Sequence, residues 1–235
     1  MKKFSRCLIA LSFYFVLNSS IFANRWTPEM MIQYQRLSST AISEDGKFIA
    51  YEISTPILES EKSEFHSQIW LLSTYDESRF QLTQGKTSSS QPKFSPDNKW
   101  LGFLSARGEK KTRQLFIISV SGGESIQITN VASSVNRFDW SPDAMKIAFT
   151  MADPETEDDK KRKKEKRDWK IVDEDYKYNH LYVVNIEETE EPRQLTKGDM
   201  NVGSFDWSPD GAKIVYDHTE IPVSYTHLTL PTSFL

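Results

Sequence analysis

Hydrophobic and polar positions along the chain fall into a pattern that returns four times without a gap. The copies are Ser43-Glu-Asp-Gly-Lys-Phe-Ile-Ala-Tyr51, Ser95-Pro-Asp-Asn-Lys-Trp-Leu-Gly-Phe103, Ser141-Pro-Asp-Ala-Met-Lys-Ile-Ala-Phe149 and Ser208-Pro-Asp-Gly-Ala-Lys-Ile-Val-Tyr216. Asp always holds the third position (Asp45, Asp97, Asp143, Asp210). An aliphatic holds the seventh (Ile49, Leu101, Ile147, Ile214) and an aromatic the ninth (Tyr51, Phe103, Phe149, Tyr216). Apolar residues two apart, with a small residue between them in most copies, describe one buried strand face. Upstream, Phe138 and Trp140, then Phe205 and Trp207, alternate in the same way and predict a strand before the motif. Ser-Pro-Asp-Gly between two such strands reads as a hairpin turn: Pro presets φ, Asp accepts from backbone amides ahead, and Gly takes φ > 0. Ala144 stands where Gly46 and Gly211 stand, so it is expected in the left-handed region at a steric cost, whereas Asn98 at the equivalent site tolerates that region better.

A second signature completes the unit. Gln81-Leu-Thr83, Gln127-Ile-Thr129 and Gln194-Leu-Thr196 each begin 14 residues before a motif serine. Apolar strands are expected at Ile69 to Leu72, Leu115 to Val120 and Leu181 to Ile186, starting 12 or 13 residues before those glutamines. The one widely varying interval, from motif serine to the next strand, runs 26, 20 and 40 residues. One repeat is thus four short antiparallel strands with an elastic loop between the second and third. Such units at this period predict an all-β chain, a β-propeller with about three and a half blades present. A β-sandwich is the competing architecture, but it does not require gapless repetition of one motif. In a four-strand meander the elastic loops open on the face opposite the Ser-Pro-Asp turns, and insertions gathered on one face often mark a binding surface.

The ends of the chain read differently. Lys2, Lys3 and Arg6, then the uncharged apolar stretch Cys7 to Leu17 and a small-residue site at Ala23, read as an export signal over residues 1–23. An uncleaved anchor is the alternative, although the apolar stretch falls short of the roughly 20 residues a bilayer needs. Removal of that segment takes the formal charge from -4 to -7 and leaves a chain with no cysteine, so the expectation is an exported, periplasmic or secreted protein without disulfides or a stable membrane anchor. Residues 24–221 are read as the partial propeller, with a charged insertion at 153–178. Residues 222–235, uncharged and without a blade signature, read as a non-native tail and as a sign of truncation.

With 29 Lys plus Arg against 33 Asp plus Glu, the chain is no basic nucleic-acid binder. Lys160 to Arg167 holds seven basic residues in eight and invites a nucleic-acid reading. The segment Asp153 to Asp168 nevertheless balances seven acids against seven bases, which favours a solvated loop or short helix with acids leading bases. Trp169, Tyr176 and Tyr178 are expected to anchor its return. The repeated aspartates are one per turn and about a blade apart, so they cannot converge into the six to eight oxygens that calcium takes. His66, His180 and His218 lie near predicted strand ends without a partner at ligand spacing, and are read as surface or hydrogen-bonded residues. No nucleophile elbow, phosphate loop, zincin motif or dinucleotide fingerprint occurs, so no catalytic, metal-binding or cofactor-binding residue is assigned.

The paired signatures resemble the TolB-like, WD-type propeller repeats of bacterial exported proteins. The insertion is more specific: Asp153-Pro-Glu-Thr, the Lys/Arg-rich run, and Val172-Asp-Glu-Asp-Tyr-Lys-Tyr-Asn-His-Leu-Tyr-Val-Val-Asn185 resemble the propeller of the prolyl-oligopeptidase family of serine peptidases, of acylaminoacyl- and dipeptidyl-peptidase-like type. The likeness covers about Trp26 to Glu220. It implies a propeller that restricts access of peptides to a C-terminal α/β-hydrolase domain with a Ser-Asp-His triad, none of whose residues maps onto this chain. The expectation is therefore the substrate-gating propeller of an exported peptidase, with peptides as the substrates of the whole protein. The alternative is a stand-alone TolB-like periplasmic propeller mediating protein–protein interactions.

Overall fold

The motif serine explains how each hairpin closes. Its hydroxyl donates to the aspartate two residues on and accepts the amide of the sixth motif residue: Ser43 Oγ to Asp45 Oδ1 is 2.8 Å, and Phe48 N to Ser43 Oγ is 2.9 Å. The same pair of bonds recurs at Ser95, Ser141 and Ser208. The aspartate then accepts the amide of the fifth residue, as at Lys47, Lys99, Met145 and Ala212. The fourth residue is left-handed in every copy, with φ of +68° at Gly46, +58° at Asn98, +58° at Ala144 and +67° at Gly211. Ala144 is thus the strained member, and Ala144→Gly is expected to stabilise by about 1 kcal/mol, since a β-carbon is penalised there. A denaturant titration in which the midpoint stays or falls would contradict this.

These turns also set an acid limb. Lys47, through its ammonium and its amide, and Ser43 hold the Asp45 carboxyl down at about 2 from an ordinary 3.8. Asp143 and Asp210 are lowered chiefly by their motif serines, and Asp97 is lowered despite the opposing effect of burial because Ser95 and Lys99 donate to it. A carboxyl depressed in the folded state contributes stability that is complete above its unfolded value and lost as pH falls through the folded one. Stability is therefore expected to decline from about pH 4 toward pH 2, and Asp143→Asn should flatten that decline in denaturation midpoints measured against pH.

The computed structural model describes residues 27–59, 62–166, 176–187 and 191–220. The expected export signal and tail lie outside these residues, as does Trp169. The chain divides into two units, 1–34 and 35–235. In the first, helix α1 (Pro28–Gln33) starts at the N-cap Thr27, whose hydroxyl accepts from Met30 N, with Pro28 at its first turn.

The second unit is all-β apart from one inserted helix. Strands β1 (Arg36–Ile42), β2 (Phe48–Glu59), β3 (Lys62–Ser73) and β4 (Arg79–Gln81) form the first blade in simple antiparallel order. The second blade is β5 (Ser89–Phe94), β6 (Trp100–Ser105), β7 (Gln114–Ser119) and β8 (Ile126–Gln127). The third is β9 (Val135–Trp140), β10 (Lys146–Ala152), β11 (Asn179–Asn185) and β12 (Arg193–Gln194), and β13 (Asn201–Trp207) with β14 (Ile214–Thr219) makes the described half of a fourth. The expected propeller of four-stranded blades is what the structure shows, with three whole blades and two strands of a fourth among the described residues.

Each blade's two faces feed different cores. In β6, Leu101 and Phe103 join Ala50, Ile69 and Leu71 of the first blade, while Leu104 points the other way and joins Phe138, Ile147 and Phe149 of the third. A third core unites Ala148 and Leu181 with Val202 and Phe205. The motif's seventh and ninth residues thus face the preceding blade, and the small residue between them faces the next. The reason for its size is visible at Gly102, where a β-carbon would come within 2.8 Å of the Phe138 ring. Trp140 Nε1 donates to Lys93 O of the second blade (3.1 Å) and Trp207 Nε1 to Asp139 O of the third (3.4 Å), stitching first strands together.

One expectation needs correction. In the first blade the elastic interval is not a loop but a longer hairpin, because β2 and β3 pair continuously from Phe48↔Ser73 to Glu59↔Lys62. Polar residues such as Ser54 and Ser67, whose hydroxyls lie 2.5 Å apart, continue the ladder past the apolar part that sequence patterning detects. His66 accordingly lies inside β3, opposite Thr55, rather than near a strand end.

Candidate functional site

The variable connections between second and third strands open at the end of the blades opposite the Ser-Pro-Asp turns, where the links from one blade to the next also run. A buried clamp sits beneath this end in each complete blade. Thr83, Thr129 and Thr196, the last residues of the second signature, use their hydroxyls to accept the amides of Ile69, Leu115 and Leu181, each at 2.9 Å. The same hydroxyls meet the residue just before each of those positions: Gln68 Oε1 at 2.7 Å, Gln114 Oε1 at 2.9 Å and His180 Nδ1 at 3.3 Å. Gln68 and Gln114 spend their amide hydrogens on the outgoing link, at Gly85 O and Thr87 O in one blade and Val131 O in the next. In the first two blades the clamp therefore fixes where the link leaves the blade.

In the third blade the clamp is joined to the insertion. His180, almost fully buried, replaces the glutamine and places Nε2 3.5 Å from Asp153 Oδ1, the first residue after β10. Asp153 closes the neck of the insertion: its amide donates to Tyr178 O at 2.9 Å and its carboxylate accepts Tyr178 N at 3.3 Å. Burial, then Asp199 and Asp153, pushes the Tyr178 phenol up, and burial followed by Asp153 does the same at Tyr182. Tyr176 and Tyr178 pack ring to ring at 6.1 Å beside this neck.

The charged segment forms helix α2 (Glu157–Lys164), with acids in the first turn, bases in the last and no buried residue. The macrodipole favours that arrangement. Thr156 and Asp159 make a reciprocal capping box. Asp159 is also the hub of the segment, accepting Lys177 Nζ at 2.6 Å and Arg162 Nη2 at 2.8 Å, and Lys177 together with Thr156 holds its carboxyl far below the ordinary range. Lys160 pairs with Glu157, and Lys163 with Glu155. Among the described residues, Lys160, Arg162 and Lys163 thus pair with acids of the segment itself, and the helix is solvated.

The three described histidines have separate surroundings. His180 is in the clamp, His66 meets the Gln68 amide at 3.1 Å, and His218 tilts against Tyr216 at 6.1 Å. Among the described residues, no group of three or more His, Cys, Asp or Glu is placed to hold a metal ion. No described helix is long and apolar enough to cross a membrane. Sequence reasoning missed Gln68 and Gln114 and read His180 only as a surface or hydrogen-bonded residue, because three aligned positions with two residue types show no identity, although each sits one residue before a predicted strand.

Residues 46–113 match the family described as acylamino-acid-releasing enzyme, N-terminal domain. The chain is 31% identical over 187 residues to the uncharacterized peptidase YuxL of Bacillus subtilis (strain 168), covering 73% of this chain and 28% of that protein. It is 26% identical over 125 residues to dipeptidyl-peptidase 5 of Porphyromonas endodontalis, covering 53% of this chain and 17% of the relative. It therefore spans less than a third of the length of the relatives it matches. In fold it is similar to Pyrococcus horikoshii acylaminoacyl peptidase, with a TM-score of 0.55 at 20% identity over 75% of this chain and 29% of that one. By its blades and these matches, the chain belongs with the N-terminal propellers of the prolyl-oligopeptidase family of serine peptidases, of acylaminoacyl- and dipeptidyl-peptidase-like type.

Proposed function

We propose that the chain is the substrate-screening propeller of an exported serine peptidase that acts on peptides, with the nucleophile, base and oxyanion donors supplied by an α/β-hydrolase domain of the whole protein. The observation that carries this reading is the match to peptidases, of whose length the chain spans less than a third. The Asp153–His180–Thr196 line has the outward order of a triad, but Thr196 is buried and its hydroxyl already accepts the Leu181 amide. Its counterparts at Gln68–Thr83 and Gln114–Thr129 contain no base, so the line is a structural clamp. Export rests on the basic, then apolar, N-terminal sequence.

A peptidase reading requires the propeller to act on access rather than on bond cleavage. A ring of blades excludes folded chains by size, and a charged, internally paired insertion at one end adds a solvated rim. The test has two parts. The full 235-residue chain should show no turnover of peptide substrates and no labelling by a serine-directed phosphonate. The protein encoded by the uninterrupted genomic frame should be labelled, and deletion of 153–178 from it should raise kcat/KM for long peptides relative to short ones. A whole protein that resists labelling, or a frame that closes after further blades alone, would overturn the peptidase reading in favour of a binding propeller.

A further inference from the structure

The repeat supplies its own control for one unusual residue. Twelve residues after each motif serine stand Thr55, Arg107 and Asp153 in the first three blades. Beside this position each blade presents an aromatic pair across its second and third strands: Tyr51 with Trp70, Phe103 with Phe116, and Phe149 with Tyr182. The last two pairs are stacked alike, with centroids 5.7 and 5.5 Å apart. Such a pair does not require a cation, since the other blades form theirs with a threonine and an aspartate at the equivalent position. Only the second blade lays a guanidinium over it, with the Arg107 carbon 5.1 Å from the Phe103 ring and 5.4 Å from Phe116.

That guanidinium is built in but not neutralised. Nε donates to Ser105 Oγ at 3.2 Å, Nη1 to Ser125 Oγ at 3.1 Å and Nη2 to Ser89 Oγ at 2.7 Å. All three acceptors are neutral, and Ser89 and Ser105 are themselves buried. Among the described residues Arg107 has no carboxylate within ion-pair distance. A partly buried charge without a counter-ion is costly, and arginine held in a fixed orientation is the usual receptor for a planar oxyanion. One N–H on each terminal nitrogen is left over, the number a bidentate carboxylate takes.

The side chain lines a cleft of about 520 Å³ between the first and second blades, bounded by Thr83 and Gln84 on one side and by Gly122 to Ser125 on the other. Glu124 is the other charged residue of the lining. Its presence disfavours a multiply charged phosphate and favours a single negative charge. We propose that this cleft is a carboxylate-binding subsite with Arg107 as its anion receptor, and that it takes a small monocarboxylate such as the free C-terminus of a peptide.

The test uses the full 235-residue chain, labelled with ¹⁵N, and follows the arginine Nε–Hε resonances during titration with N-acetylglycine, N-acetylglycinamide or inorganic phosphate. The expected result is a saturable shift of the Arg107 signal with the acid, at least tenfold weaker binding of the amide, and phosphate weaker than the acid. Arg107→Gln should abolish the heat of acid binding in calorimetry, and Arg107→Lys should weaken it while keeping it measurable. An unresponsive Arg107 signal, an amide that binds as well as the acid, or phosphate that binds more tightly would overturn the proposal. Should Arg107→Gln fail to fold, the acid–amide comparison on the unaltered chain decides the matter alone.

Discussion

Thr129→Val is expected to lower the stability of the chain by about 2–3 kcal/mol, although it replaces one methyl-bearing side chain by another of nearly equal volume. The hydroxyl it removes is buried and accepts the Leu115 amide at 2.9 Å while donating to Gln114 Oε1 at 2.9 Å. Gln114 keeps an alternative donor in the Val131 amide at 3.0 Å, so its oxygen is not orphaned. The Leu115 amide has no such recourse, and an unsatisfied buried donor costs about 1–3 kcal/mol. Loss of the hydroxyl also frees the link that carries the chain into the third blade, since Gln114 Nε2 is oriented onto Val131 O. Thr129→Ser keeps the oxygen and should recover most of the loss. Urea titrations of the three proteins check the expectation, and a valine variant within about 0.5 kcal/mol of the parent would contradict it.

The second large effect is expected where two blades meet. Gly102→Ala should destabilise by about 2 kcal/mol through overpacking. The added carbon would lie 2.8 Å from Phe138 Cε2 and 3.2 Å from both Phe138 Cζ and Trp140 Nε1. Phe138 is fully buried and cannot swing into solvent, and moving the indole would strain its bond to Lys93 O. Phe138→Leu, destabilising alone through the space it leaves, should offset part of the alanine's penalty in the double variant. A double-mutant cycle on melting midpoints measures that coupling, and purely additive losses would show that the two blades adjust independently.

Much of this architecture was legible because the features that build it are local and repeated. The motif serine, aspartate and left-handed fourth residue lie within one turn, and Ala144 and Asn98 take the conformation that Gly46 and Gly211 foretell. The second and third strands of the first blade were underestimated because their outer halves mix Ser, Thr, Glu and Lys with Pro56, Ile57, Leu58 and Phe65 and so extend a hydrogen-bonded ladder without the regular alternation that marks a strand. The candidate site was less legible. Gln68, Gln114 and His180 do one job with two chemistries, and Arg107 gains its environment from Ser89 and Ser125, 18 residues away on either side. Contacts of that span depend on blade pairing, which a linear pattern does not display.

The pinched neck at Asp153 and Tyr178 has an evolutionary consequence. The same connection occupies 106–113 in the second blade and 153–178 in the third, roughly a threefold difference in length. Closing a flexible loop grows in free energy only with the logarithm of its length, so this lengthening costs about 1 kcal/mol. Both ends are already fixed by adjacent strands, and the inserted helix buries none of its residues in the shared cores. Sequence at this rim can thus drift, lengthen and be rewritten at less thermodynamic risk than one cavity in the barrel of blades beneath it. Under the proposed role in screening substrates, new specificities are therefore most accessible to mutation there.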